Sequence, residues 1–174
     1  KNEIDYITIA TTGNATDFGD LNGTCRGIGA CSSTTRGVLG GGTGTFTYEI
    51  SYVTIASTGN VTDFGNLTAA RYLLGGCGSS TRGLFGGGYA TTNTIDYVTL
   101  ATTGNATDFG DLTVSRNALG ACSSSLRGVW AGGIGPLNTI DYITIATLAA
   151  ASDFGDLSVS RYGLGGVSNG HGGI

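Results

Sequence analysis

The sequence predicts an all-β fold: a β-propeller, most simply four blades of four antiparallel strands, in one domain spanning 1–174. Three observations predict it. First, one phrase is written four times, opening at Ile4-Asp5-Tyr6, Ile50-Ser51-Tyr52, Ile95-Asp96-Tyr97 and Ile140-Asp141-Tyr142, at spacings of 46, 45 and 45 residues. A period of that length belongs to propeller blades and solenoid units. Second, each copy divides into four short β-rich segments, the content of one blade. Third, Gly and β-branched residues break every window that a helix would need.

The third copy shows the elements in order. Residues 95–101 (I-D-Y-V-T-L-A) alternate and are rich in β-branched and aromatic side chains, so they predict a strand. T-T-G-N-A is a turn, with Gly and Asn suited to positive φ. T-D-F-G-D-L is a second, short strand, and T-V-S-R a connection. N-A-L-G-A-C-S is a third strand of small residues that permit close approach. S-S-L is a turn, and R-G-V-W-A-G-G a fourth strand ending in a glycine pair.

Composition agrees and excludes other classes. Of 174 residues 33 are Gly, one is Pro and none is Met, while 40% are hydrophobic and 11% charged. Ordinary proteins have roughly 7% Gly and roughly 25% charge. Collagen needs Gly at every third position and abundant Pro. Disorder needs low hydrophobicity and high charge. A coiled coil needs Lys- and Glu-rich heptads. The net charge of -4 argues against a nucleic-acid partner, because few phosphates could be neutralised. No apolar run of about 18 residues predicts a membrane span. The start lacks both a signal-peptide layout and Met, so the expectation is a mature product or a fragment.

The copied positions resemble Kelch repeats over essentially the whole chain. A glycine pair follows a strand at Gly41-Gly42, Gly87-Gly88 and Gly132-Gly133. A Tyr stands in the next strand at Tyr6, Tyr52, Tyr97 and Tyr142, and an aromatic in the last at Phe18, Phe64, Phe109 and Phe154. An Arg opens the next blade at Arg71, Arg116 and Arg161. Kelch repeats usually carry Trp where all four copies here carry Phe, and they are slightly longer, so the chain is Kelch-like rather than a standard member. The wording I-D-Y-x-T-I-A-T-T-G-N-A-T-D-F-G-D-L also resembles repeats of virion and tail proteins of tailed phages, marine ones especially.

The chain opens in mid-blade and closes with the other half. Two half-blades are expected to combine into a fourth blade, closing the ring and removing open edges. The alternative is a window on a larger propeller or array, since the last copy stops at Gly173-Ile174, before its glycine pair.

Repetition also tests for chemistry, because a unique active site needs unique residues. All ten Asp fall into three columns: Asp5, Asp96 and Asp141; Asp17, Asp63, Asp108 and Asp153; Asp20, Asp111 and Asp156. Six of seven Arg fall into two, at Arg71, Arg116 and Arg161 and at Arg36, Arg82 and Arg127. These columns are expected to pair, as buried charges must. A ring of cation sites is the other reading, but no D-x-D-x-D-G loop is present. D-F-G occurs four times without the kinase catalytic or glycine-rich loops. Gly40-Gly41-Gly42-Thr43-Gly44 lacks the Lys and helix of a phosphate loop. Cys31, Cys77 and Cys122 share one context that holds Val167 in the fourth copy, which predicts free thiols in a small apolar site rather than disulfides. No C-x-x-C suggests zinc. The lone His171 falls in a turn, without triad partners. Asn14, Asn60 and Asn105 lie in N-x-T triplets that turn chemistry explains as well as glycosylation does. No cofactor, metal or catalytic residue is expected.

The copies differ after the glycine pair, where Phe46, Tyr48, Glu49, Tyr89, Pro136 and Leu137 stand. Variable loops carry function, and exposed aromatics suit stacking on sugars or packing on a partner. These six are the candidate ligand- or partner-binding residues. Ordinary variable loops are the competing reading. Trp130 replaces Leu39 and Phe85 and is expected between blades. The phage resemblance implies a non-enzymatic structural or adhesive module, in a virion or extracellular. Its expected partners are other virion subunits, a host surface glycan or further copies of the chain. A soluble sugar-binding lectin is the alternative, and an enzyme on a propeller platform ranks lowest.

Overall fold

The structure is a computed structural model, and it describes residues 1–44, 47–89, 92–135 and 137–168. Fourteen strands form three four-stranded antiparallel sheets and one two-stranded sheet, with no α-helix among the described residues. The two-stranded sheet holds β1 (Glu3–Tyr6) and β2 (Thr16–Asp20). The first four-stranded sheet runs β3 (Gly29–Ser32), β4 (Arg36–Gly40), β5 (Glu49–Thr54) and β6 (Thr62–Asn66). The second runs β7 (Gly75–Gly78), β8 (Arg82–Gly86), β9 (Thr94–Thr99) and β10 (Thr107–Asp111). The third runs β11 (Gly120–Ser123), β12 (Arg127–Ala131), β13 (Thr139–Thr144) and β14 (Ser152–Asp156). Sheet order follows chain order, as in a blade meander.

The strand read over 117–123 starts only at Gly120. Ala118, like Leu73 one repeat earlier, sits at positive φ (54° and 58°), and Gly27 and Gly163 fill the same column at 69° and 68°. Each N–H in this column donates to the carbonyl of the column's previous member: Leu73 to Gly27 at 2.6 Å, Ala118 to Leu73 and Gly163 to Ala118, each at 2.8 Å. That tether holds the two non-glycine residues where sterics disfavour them.

The D-F-G triplets explain how the sheets join. The Asp carboxylate accepts from the N–H of the Gly two residues on, as in Asp63 to Gly65 at 3.1 Å. That Gly adopts φ between 137° and 149° in all four copies and lies at a bulge in the ladder. The bulge lets the next repeat's turn press against the strand. A Cβ on Gly65 would lie 2.4 Å from the Gly104 carbonyl oxygen. The Phe18 and Phe64 carbonyls accept from Gly59 and Gly104, each at 2.7 Å, and the Asn60 and Asn105 side chains accept from the N–H groups of Asp20 and Asn66.

Between sheets the core is filled by large side chains facing glycines. Phe85, fully buried, lies over Gly29 and Gly40. Trp130, also fully buried, lies over Gly75 and Gly86 and donates its indole N–H to the Gly75 carbonyl at 3.1 Å. Trp130 therefore packs between two sheets. Each Phe of D-F-G meets the preceding strand's Tyr edge-on, at 5.8 to 6.0 Å between ring centres.

The first strands of the three four-stranded sheets, β3, β7 and β11, are neighbours, and with residues 166–168 they line one pocket. Among the described residues no hydrogen bond joins β1 or β2 to the segment after β14. The expected strand pairing between the two ends involves 169–174, which lie outside the described residues, as does His171. In chain order the two-stranded sheet is followed by the three four-stranded sheets. Phe154, on its last strand, is 55% exposed where Phe64 and Phe109 are 2% and 3% exposed.

Candidate functional face

In each four-stranded sheet the described residues that leave the second strand run beside the connections between sheets. The glycine pairs put them there. Gly41 and Gly42 leave β4 at φ 68° and 123°, and a Cβ on Gly41 would lie 2.6 Å from the Arg71 carbonyl oxygen. Gly42 donates to that same carbonyl at 3.0 Å. The next residue is then stapled to the connection entering its own sheet. Thr43 donates to the Arg26 carbonyl, Tyr89 to Tyr72 and Ile134 to Asn117, at 3.1, 2.6 and 2.8 Å.

This staple creates an aromatic pair. Tyr89, 54% exposed, stacks on Tyr72 with ring centres 4.8 Å apart and planes at 31°. Tyr48, 50% exposed, belongs to the loop entering β5. The Tyr48 carbonyl accepts from Leu67 at 2.7 Å and the Thr47 carbonyl from Arg71 at 2.6 Å, so this loop runs beside the connection that carries Tyr72. Tyr48, Tyr72 and Tyr89 thus share one end of the molecule. Such rings offer faces for stacking and hydroxyls for hydrogen bonds.

The other candidates divide. Glu49 turns inward, where its Oε1 accepts from Asn22 Nδ2 and Ser51 Oγ, each at 2.8 Å. Leu137 is half-buried. Phe46 and Pro136 lie outside the described residues. Sequence reading missed Tyr72. Its signal was the column just after the arginines, where Arg26, Tyr72, Asn117 and Tyr162 differ as freely as the loops do.

The charged columns sort themselves by burial. One Arg column pairs with one Asp column as expected: Arg71 with Asp96 at 2.8 Å and Arg116 with Asp141 at 2.9 Å, all four side chains buried. Burial pushes both guanidinium groups below their usual range, and the facing carboxylate opposes this. The remaining columns do not pair in this way, which corrects the expectation. Arg36, Arg82 and Arg127 lie over the rings of Tyr52, Tyr97 and Tyr142 at 4.6, 5.0 and 4.7 Å. Arg36 and Arg82 also donate to the Leu100 and Ile145 carbonyls of the following sheet. Asp17, Asp63, Asp108 and Asp153 cap their own bulges.

The four cysteines are free. Cys31 and Cys77 point at Gly83 and Gly128 of the following sheet, where a Cβ would lie 2.5 and 3.1 Å from the sulfur. Burial pushes the Cys31 thiol up to about 12 and the Cys77 thiol well above its ordinary value. These are packing groups, not nucleophiles, because reactivity requires the thiolate.

A scan against protein-family models and a search of curated proteins both return no match to this chain.

Proposed function

We propose that the chain is a Kelch-like, four-bladed propeller. It serves as a non-enzymatic structural or adhesive module of a phage virion or tail, presenting its loop face to a host glycan or a neighbouring subunit. The observation that carries the reading is the gathering of half-exposed Tyr48 and the Tyr72–Tyr89 stack at one end of a rigid sheet assembly. Aromatic rings held by backbone hydrogen bonds lose little freedom on binding. The phrase resembling virion repeats supplies the setting.

The joints support closure in four. The buried network of Thr113, Arg116 and Asp141 has unpaired counterparts at the two ends: Ser158 and Arg161 after β14, and Asp5 in β1, all exposed. Likewise the Gly13-Asn14-Ala15 turn matches the turns that cap Phe18 and Phe64, while Gly155 meets nothing within 4 Å. Joining the ends supplies each with the partner its sister copies already have.

A triple substitution Phe46→Ala, Tyr48→Ala and Tyr89→Ala tests the functional reading. Binding to purified particles or to an array of surface glycans is expected to fall at least tenfold, with unfolding unchanged. Undiminished binding refutes the loop assignment. Absence of the chain from purified particles refutes the virion setting, and glycan binding without it would favour the lectin.

A further inference from the structure

We infer that the column Arg26, Tyr72, Asn117 and Tyr162 binds a carboxylate-bearing sugar, with Arg26 holding the carboxylate and Tyr72 and Tyr89 the ring. This rests on the loop-face reading above and narrows its ligand. Backbone hydrogen bonds bring the column together. Leu73 donates to the Gly27 carbonyl at 2.6 Å, and Ala118 to Leu73 and Gly163 to Ala118 at 2.8 Å each. The residue before each of these four is a member of the column. Gly42 and Thr43, consecutive in the chain, donate to the carbonyls of Arg71 and Arg26, which sets Arg26 beside Tyr72. Tyr89 is stapled to Tyr72 and stacks on it. Closure in four places Tyr162, 68% exposed, on the other side of Arg26. The backbone is tethered alike in each copy, yet the side chains are a cation, a phenol, an amide and a phenol. The Arg, Asp, Tyr and Phe columns of the scaffold keep their residue instead.

Arg26 is the one arginine outside the two arginine columns. The other six have structural partners. Arg71 and Arg116 pair with Asp96 and Asp141, and Arg116 also donates to the Thr139 and Trp130 carbonyls. Arg36, Arg82 and Arg127 lie over tyrosine rings, and Arg161 meets Asp5 on closure. Arg26 is exposed and forms no ion pair among the described residues. No Asp or Glu stands in the column or among Thr43, Tyr89 and Ile134, which are stapled to it. Glu49, on the loop beside it, is turned toward Asn22 and Ser51. In a chain of net charge -4, this makes the column a local site of positive charge.

One unpaired guanidinium calls for one anionic group, not for the many phosphates of a nucleic acid. Its planar fork matches a carboxylate through two parallel hydrogen bonds. The adjoining tyrosines offer ring faces and hydroxyls, which suit the apolar face and the hydroxyls of a sugar. Asn117 is half-buried, and its Oδ1 accepts no hydrogen bond from the described residues. A side-chain amide can turn either a donor or an acceptor toward a sugar hydroxyl. A uronic or sialic acid residue combines a carboxylate, an apolar ring face and hydroxyls.

Paired oligosaccharides test the site. Oligomers ending in a uronic or a sialic acid, each beside its own methyl ester, are titrated into the whole chain by calorimetry. One such acid is expected to bind at least tenfold more tightly than its ester, which keeps the ring and loses the charge. Arg26→Gln should abolish that preference and leave the urea midpoint unchanged, because Arg26 is exposed. Arg26→Lys keeps the charge without the fork and should retain only part of the preference. Tyr89→Ala should weaken acid and ester alike. Wild-type protein that binds none of the acids, or binds acid and ester equally, overturns the proposal, as does a preference that survives Arg26→Gln. Equal binding of acid and ester that Tyr89→Ala weakens would overturn the acidic ligand and leave the loop-face reading intact, so the two fail separately.

Discussion

Replacing Asp141 by Ser isolates the energetics of the repeat junction. The Asp141 carboxylate accepts from the Thr113 N–H at 3.1 Å, the Thr113 hydroxyl at 2.5 Å and Arg116 at 2.9 Å, and neither ionic side chain is exposed. Its removal leaves a buried guanidinium facing only two carbonyls, and an unpaired buried charge costs about 3–5 kcal/mol. Arg116→Cys leaves a buried carboxylate with Thr113 alone and should cost a similar amount. The double variant Arg116→Cys, Asp141→Ser reproduces the neutral pair already present as Cys25 and Ser51. It should cost less than either single change, roughly 1–3 kcal/mol for the space left behind. The coupling between the two sites is then at least about 2 kcal/mol. Trp130, the one Trp, is fully buried and reports unfolding directly. In urea, a 4 kcal/mol loss at a slope of about 2 kcal/mol/M moves the midpoint by about 2 M. A single change costing under about 1 kcal/mol, or a double change equal to the sum of the singles, would refute the view that burial makes the pair interdependent.

Three further outcomes are expected. Gly65→Ala places a Cβ 2.4 Å from a backbone oxygen at φ 146°, so it should cost more than about 3 kcal/mol in the same unfolding assay; near-wild-type stability would contradict the bulge joint. Cys31 binds its proton more tightly folded, at about 12 against an ordinary 9.0. The stability it contributes is therefore whole below about pH 9 and lost as pH rises toward 12. Iodoacetamide at pH 8 should label the buried Cys77 only after unfolding, and rapid labelling of the folded protein at that position would show that its thiol is not buried. Closure in four predicts that Arg161→Ala and Asp5→Ala are coupled like Arg116 and Asp141, whereas strictly additive costs would indicate ends that do not meet.

The legible and illegible parts of the sequence differ in physical origin. The strands and the turns could be read because their causes are local: alternation along a strand and a Gly-Asn turn. The bulge at D-F-G, where the Asp caps its own Gly, was not read, because that Asp column was expected to pair with arginine. The start of β11 was misread because the positive φ of Ala118 is imposed by a hydrogen bond to Leu73, one repeat away. Of the candidate loop residues, Tyr48 and Tyr89 lie on the exposed face, while Glu49 is turned inward by Asn22 and Ser51.

The order of strands, the glycine columns facing large side chains and the free state of the cysteine column are properties of the repeated phrase alone. Any fold that stacks the phrase must place Phe85 and Trp130 against the small residues of a neighbouring copy. Which charges meet was decided by the tertiary structure. Asp96 and Asp141 meet arginines 25 residues earlier, while Asp108 and Asp153, next to the same Tyr–Phe pairs, cap their own strands. The stacked sheets bury one column and leave the other at the rim, and only the buried charges require a partner from another repeat.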